Sequence, residues 1–114
     1  MTKRIKSLAR QVALRSESRF RVGAVIYSGS SVYGIGANDM CKTHPKSPHP
    51  HKAVHAEFMA LQDALNERKT IHGTKVFVYR IKKDGSEGLA KPCEHCHAML
   101  LWYGIKKIEY TTGD

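Results

Sequence analysis

The stretch KPCEHCHAML, residues 91–100, brings Cys93, His95, Cys96 and His97 close together. On its own, a CxxC of this kind serves a redox pair, half of a structural zinc knuckle, or part of a catalytic centre. A second group with chemical potential stands earlier, in VHAE, where His55 and Glu57 are two residues apart. Both groups fall where a helix is expected to begin. A spacing of three puts Cys93 and Cys96 on one face of a first helical turn. If the two helices start side by side against a sheet, His55, Cys93 and Cys96 converge as three protein ligands. Such a set leaves the fourth tetrahedral position open for water, which distinguishes a catalytic zinc from a structural one. Two thiolates balance the dication, and two helix N-termini add positive potential that favours the thiolates. Glu57 is near the metal without being needed as a ligand, and so is placed to carry a proton.

The elements that must position these groups can be read from periodicity and turn residues. Residues 2–18 form a first helix, with Ile5, Leu8, Ala9, Val12 and Ala13 at helical spacing and Thr2 as cap. Residues 19–38 form a β-hairpin turning at residues 28–31. Residues 39–52, rich in proline and small polar residues, form a loop. A second helix covers residues 53–69, with Val54, Phe58, Leu61 and Leu65 as its buried stripe. TKVFVYRI, residues 74–81, is apolar on almost every position and reads as a central strand. Residues 82–91 read as a polar loop. Pro92 suits the first position of a third helix that stops at Gly104. Residues 105–112 are the last strand, parallel to the preceding one across a helical crossover. The order α-β-β-α-β-α-β, with no internal repeat, gives an α/β fold in one domain, residues 1–114.

HAE followed by PCEHC resembles the H-x-E…P-C-x-x-C signature of the zinc-dependent cytidine and deoxycytidylate deaminase superfamily. The resemblance spans nearly the whole chain, including RVGAVI and GIGAN. It implies a three-layer fold, a mixed sheet of four to five strands with helices on both faces. It implies Zn²⁺ held by His55, Cys93 and Cys96, with Glu57 as proton shuttle for hydrolytic conversion of cytosine to uracil. It further implies that the Ala56 backbone N–H holds the base carbonyl and that Asn38 contacts the sugar. Phe20 and Val22 would pack near the base, although an alternating strand explains both equally as core. Lys91 stands where nucleotide deaminases often carry serine. Its side chain would meet a phosphate or water.

Several other residues invite a role. His95 and His97 cannot join Cys93 and Cys96 on one metal from a single helical turn, and are set aside as ligands. Cys41, His44, His49 and His51 lie in a loop that resembles the place where some deoxycytidylate deaminases hold a second zinc. The plainer reading is a proline-stiffened substrate loop. Trp102 and Tyr103 are expected in the core or at a subunit contact rather than under a base.

The formal net charge is +9, and residues 1–21 contribute Lys3, Arg4, Lys6, Arg10, Arg15, Arg19 and Arg21 against Glu17. That imbalance suits an anionic partner, although a solvated basic face explains it as well. A free cytosine nucleotide or nucleoside is the expected substrate, with deoxycytidine monophosphate preferred. Cytosine in single-stranded DNA or RNA is the alternative, adenine in RNA a further one, and a non-catalytic binding module the contrasting class. The cysteine usage and the lack of an apolar leader or bilayer-length run point to a cytoplasmic protein with no membrane partner. Many family members continue beyond the equivalent of IEYTT. A sheet edge or helix face left exposed here makes a homo-oligomer the expectation.

Overall fold

The computed structural model describes residues 3–16, 21–38, 55–67 and 71–113. Among these, the elements are α1 (Lys3–Ala13), β1 (Arg21–Ser28), β2 (Ser31–Ala37), α2 (Ala56–Glu67), β3 (Lys75–Ile81), β4 (Glu87–Gly88), α3 (Glu94–Trp102) and β5 (Lys107–Tyr110). The sheet runs β2-β1-β3-β4, and β5 also pairs with β3. β3 is antiparallel to β1 and β4 and parallel to β5, so the sheet is mixed.

Alternation along the two central strands sorts the chain into three layers. Ala24, Ile26, Val76 and Val78 face one side, where they pack with Ala60, Leu61 and Ala64 of α2 and Leu100 of α3. Val25, Tyr27, Phe77, Tyr79 and Ile81 face the other, where they meet Ile5, Ala9, Val12 and Ala13 of α1. Both faces of β1 and β3 are thus buried, which explains why neither strand shows polar alternation.

Close approach of α2 to β2 depends on GIGAN. A Cβ at Gly36 would lie 2.3 Å from the Ala60 nitrogen, and one at Gly34 would lie 2.5 Å from the Ala60 carbonyl oxygen. Hydrogen at these positions lets the helix backbone rest directly on the strand. The contact sets the height of α2, and therefore of the residues at its N-terminus.

The structure departs from the sequence expectations in four places. α1 ends at Ala13 rather than continuing to residue 18; Leu14 and Arg15 form a turn instead. Pro92 is not the first helical residue. Cys93 is the N-cap of α3, with φ −68° and ψ 167°, and its carbonyl accepts the first helical bond from the His97 N–H at 2.9 Å. The polar segment after β3 is a hairpin rather than a plain loop, since Glu87–Gly88 returns beside Arg80 and Ile81. Asp84 organises its turn by accepting from the Ser86 N–H at 3.0 Å and the Ser86 hydroxyl at 2.6 Å. Finally, Trp102 is 80% exposed and so is not core within one chain, whereas Tyr103 packs against the α2/α3 cluster. Gly104, at φ +90°, does end α3 as expected.

No helix among the described residues is long and apolar enough to cross a membrane.

Candidate functional site

The two helix starts do lie side by side. His55 immediately precedes α2, and its carbonyl accepts from the Met59 N–H at 3.1 Å, so it stands in the capping position. Cys93 caps α3 and Cys96 lies in its first turn. The His55 Nδ1 is 3.8 Å from the Cys93 Sγ and 3.6 Å from the Cys96 Sγ. All three ligand atoms lie within 4.8 Å of one another.

These separations can be tested against the metal. With zinc–sulfur about 2.3 Å and zinc–nitrogen about 2.0–2.1 Å, a tetrahedron has a sulfur–nitrogen edge of about 3.6 Å. The two observed nitrogen–sulfur separations match that edge, so the donor set suits a zinc ion. The atom turned toward the sulfurs is Nδ1, a detail no spacing argument could supply. His95 and His97 are exposed, and neither belongs to the ligand group.

Glu57 is buried, at 5% exposure, and hydrogen-bonds with Cys96. Burial pushes its carboxyl above the ordinary carboxylate range, opposed by its backbone and Cys96 hydrogen bonds. Burial also pushes the Cys96 thiol up, and the negative charges of Glu57 and Cys93 push it further. Protein surroundings alone therefore disfavour the Cys96 thiolate. A dication among these three ligands supplies the compensating charge, since zinc binds the deprotonated form.

The triad opens into a cleft of about 390 Å³ lined by Val22, Asn38, His55, Ala56, Glu57, Arg80, Leu89, Ala90, Lys91 and Cys93. That volume lies within the range of roughly 300–1,000 Å³ usual for small-molecule sites. Asn38 is held firmly: its N–H donates to the Val22 carbonyl at 3.1 Å, its Oδ1 accepts from the Val22 N–H at 2.9 Å, and its carbonyl accepts from the Ser16 hydroxyl at 3.0 Å. The segment entering PCEHC is anchored by Thr111. The Thr111 hydroxyl donates to the Gly88 carbonyl at 2.6 Å, and the Thr111 carbonyl accepts from the Ala90 N–H at 2.9 Å.

A family profile described as the cytidine and deoxycytidylate deaminase zinc-binding region matches residues 1–112. The chain belongs to that family. It is a zinc-dependent hydrolytic deaminase of the cytidine/deoxycytidylate type, and its cofactor is zinc. Among solved structures, cytidine deaminase from Burkholderia pseudomallei is similar at 21% identity and a TM-score of 0.69, covering 100% of this chain and 89% of that one. The dCMP deaminase of cyanophage S-TIM5, in apo form, is similar at 23% identity and a TM-score of 0.64, covering 98% of this chain and 86% of that one. The same phage enzyme in complex with dCMP and dUMP aligns at 24% identity and a TM-score of 0.63, covering 96% and 82%. At these identities the likeness establishes the fold of this deaminase. No curated protein matches the chain.

Sequence reasoning named Val22, Asn38, His55, Ala56, Glu57, Lys91 and Cys93, and the structure brings all of them to the cleft. Cys96 is buried behind it as the third member of the triad. Phe20 and the loop group Cys41, His44, His49 and His51 lie outside the described residues. Arg80, Leu89 and Ala90 were missed. Arg80 could have been found by extending the alternation of β3, since it shares a face with Val76 and Val78.

The basic N-terminal region acquires a different meaning. α1 packs on the sheet face opposite α2 and α3, and none of its residues lines the cleft. Among the described residues, the cations that do line it are Arg80 and Lys91.

Proposed function

We propose that this deaminase converts the cytosine base of a free nucleotide or nucleoside to uracil, with deoxycytidine monophosphate as its preferred substrate. The observation that carries the reading is the convergence of His55, Cys93 and Cys96 within 4.8 Å, beside buried Glu57, at a cleft of ligand size. His55, Cys93 and Cys96 are the zinc ligands. Zinc, when bound, supplies a Lewis acid that makes water nucleophilic near neutral pH.

The chain's own groups divide the remaining work. Glu57 takes one proton from water and delivers it to N3 as the water oxygen bonds to C4; it then takes the second proton from that new hydroxyl and gives it to the C4 amino nitrogen, so that the C4–N bond breaks and ammonia leaves. Water supplies the oxygen that becomes the uracil carbonyl, so atoms and charge balance. The Glu57 site suits this role because burial raises the proton affinity of its carboxyl, which makes it a better proton acceptor than an exposed carboxylate. The Ala56 N–H is among the first in α2, where helical N–H groups lack intrahelical partners, and it holds the base carbonyl. Asn38, fixed through its Oδ1, contacts the sugar. Val22 forms part of the apolar wall, and Lys91 lies at the rim. Residues 1–114 act as one catalytic unit.

The test is one panel: cytidine, deoxycytidine, their mono- and triphosphates, and cytosine-containing oligonucleotides, with the deaminated product measured. Uracil product from the free nucleotides and nucleosides is expected. Turnover of oligonucleotides alone would overturn the reading in favour of a polynucleotide substrate.

A further inference from the structure

Asn38 departs from the ladder that β1 and β2 otherwise form. Val22 and Asn38 stand one position past the Gly23–Ala37 pair, and the Asn38 N–H donates to the Val22 carbonyl at 3.1 Å, as in a regular antiparallel pair. Such a pair exchanges two bonds, and the return bond would run from the Val22 N–H to the Asn38 backbone carbonyl. Here the Asn38 side-chain Oδ1 takes that N–H instead, at 2.9 Å. The displaced backbone carbonyl turns to the Ser16 hydroxyl, which donates to it at 3.0 Å. Side chain and main chain of Asn38 have thus exchanged partners, and Ser16 holds the main chain in the exchanged state. A backbone N–H only donates, so the atom facing Val22 is the oxygen, and the amide nitrogen lies on the opposite side of the carboxamide.

We infer that Ser16 is a positioning residue for Asn38, and through it for recognition of the substrate's sugar. The inference rests on the reading above, in which Asn38 contacts the sugar. Removing the Ser16 hydroxyl lets the Asn38 backbone carbonyl compete with Oδ1 for the Val22 N–H, because that is the bond of the regular ladder. Each return of the carbonyl to that N–H releases Oδ1, and the carboxamide loses the orientation it presents to the cleft. Ser16 is 8% exposed and does not line the cleft, so it acts from behind Asn38. Its own place is fixed. The Ser16 N–H donates to the Ala13 carbonyl at 3.1 Å, and Ala13 rests on Gly23, where a Cβ would collide with the Ala13 nitrogen. α1 lies across the sheet from the catalytic helices, and its C-terminal end reaches the site by this route.

The test measures how much the sugar adds to binding, with product-like ligands so that turnover is not needed. Dissociation constants of deoxyuridine and 1-methyluracil are measured for the zinc-loaded protein by ligand-observed NMR, as wild type, S16A, S16T and N38A. 1-Methyluracil keeps the base and carries a methyl group in place of the sugar. The advantage of deoxyuridine over 1-methyluracil is expected to fall about 5-fold in S16A, as for loss of one neutral hydrogen bond. It should persist in S16T, which keeps the hydroxyl, and fall at least as far in N38A. Should S16A not fold, S16C, of similar size and with a weaker donor, takes its place, and a fall in the same direction is expected of it.

Equal weakening of both ligands in S16A would make Ser16 an anchor for the end of α1 only, and would overturn the inference. So would an advantage that S16A leaves unchanged while N38A removes it, or a loss in S16T equal to that in S16A. If wild type binds deoxyuridine no more tightly than 1-methyluracil, or N38A leaves the advantage intact, the assignment of Asn38 to the sugar fails by itself. The Asn38 side-chain amide resonances then decide whether Ser16 positions it. They must shift in S16A and stay in place in S16T, and resonances unmoved in S16A overturn the inference.

Discussion

Replacing Gly36 by alanine should displace the catalytic helix. The new Cβ would sit 2.3 Å from the Ala60 nitrogen and 2.6 Å from the Met59 carbonyl carbon. Both are backbone atoms of α2, so no side-chain rotation relieves the clash. Restoring ordinary contact requires β2 and α2 to separate by about 1 Å, given that ordinary van der Waals contact of a Cβ begins at 3.4 Å. Overpacking of this kind costs about 1–3 kcal/mol, and a backbone clash belongs at the upper end. The displacement matters for function because β2 leads directly into Asn38, and α2 carries Ala56 and Glu57 on its first turn. A misplacement of about 1 Å at a catalytic group costs on the order of 100-fold in rate. Urea denaturation should therefore show a loss of about 2–3 kcal/mol, and steady-state kinetics a kcat reduced about 100-fold. Wild-type stability together with wild-type kcat would refute the claim that GIGAN sets the position of the site.

Alanine in place of His55 should reduce bound zinc well below one equivalent, measured by atomic emission after dialysis, while H95A retains it, since His95 is exposed and outside the triad. Tyr27 donates to the Glu109 carboxylate at 2.5 Å, tying β1 to β5 across the α1 face, and burial together with that carboxylate pushes its phenol well up. A phenol whose folded pKa exceeds the unfolded value near 10 contributes stability below pH 10 that is lost as pH rises through the folded value. In an alkaline absorbance titration Tyr27 should ionise only with unfolding, and Y27F should lose about 1–2 kcal/mol at neutral pH. Thr111→Val removes the hydroxyl bond to the Gly88 carbonyl and should cost about 1–3 kcal/mol by urea denaturation, because that carbonyl is left buried.

What could be read from the chain alone was the chemistry and the frame. HAE and PCEHC are local patterns, and each ligand depends on one helix start, so their pairing follows once two helices begin on the same side of a sheet. The apolar run of β3 likewise announced a strand buried on both faces. Which face each helix covers was not legible, because periodicity in α1 specifies a buried stripe and not the side of the sheet that receives it. The basic residues of α1 therefore looked available to the substrate, and the structure puts them opposite. The hairpin at β4 was hidden for a related reason: Asp84, Gly85 and Ser86 announce a turn, but a two-residue return strand is too short to show alternation. Arg80 went unnoticed because the alternation of β3 was not carried past its apolar residues to the cleft face. Pro92 misled by suiting the first helical turn, while Cys93 needed the extended capping position to turn its sulfur toward His55.

The central claim is that Glu57 moves the proton while His55, Cys93 and Cys96 hold the metal. It is tested most directly by zinc content and turnover measured together on E57Q. The substitution keeps the size of a side chain that is 5% exposed and removes its proton-carrying capacity. The account predicts one zinc per chain, as in wild type, with deamination reduced by about 100- to 10,000-fold. Wild-type turnover in zinc-replete E57Q would contradict it.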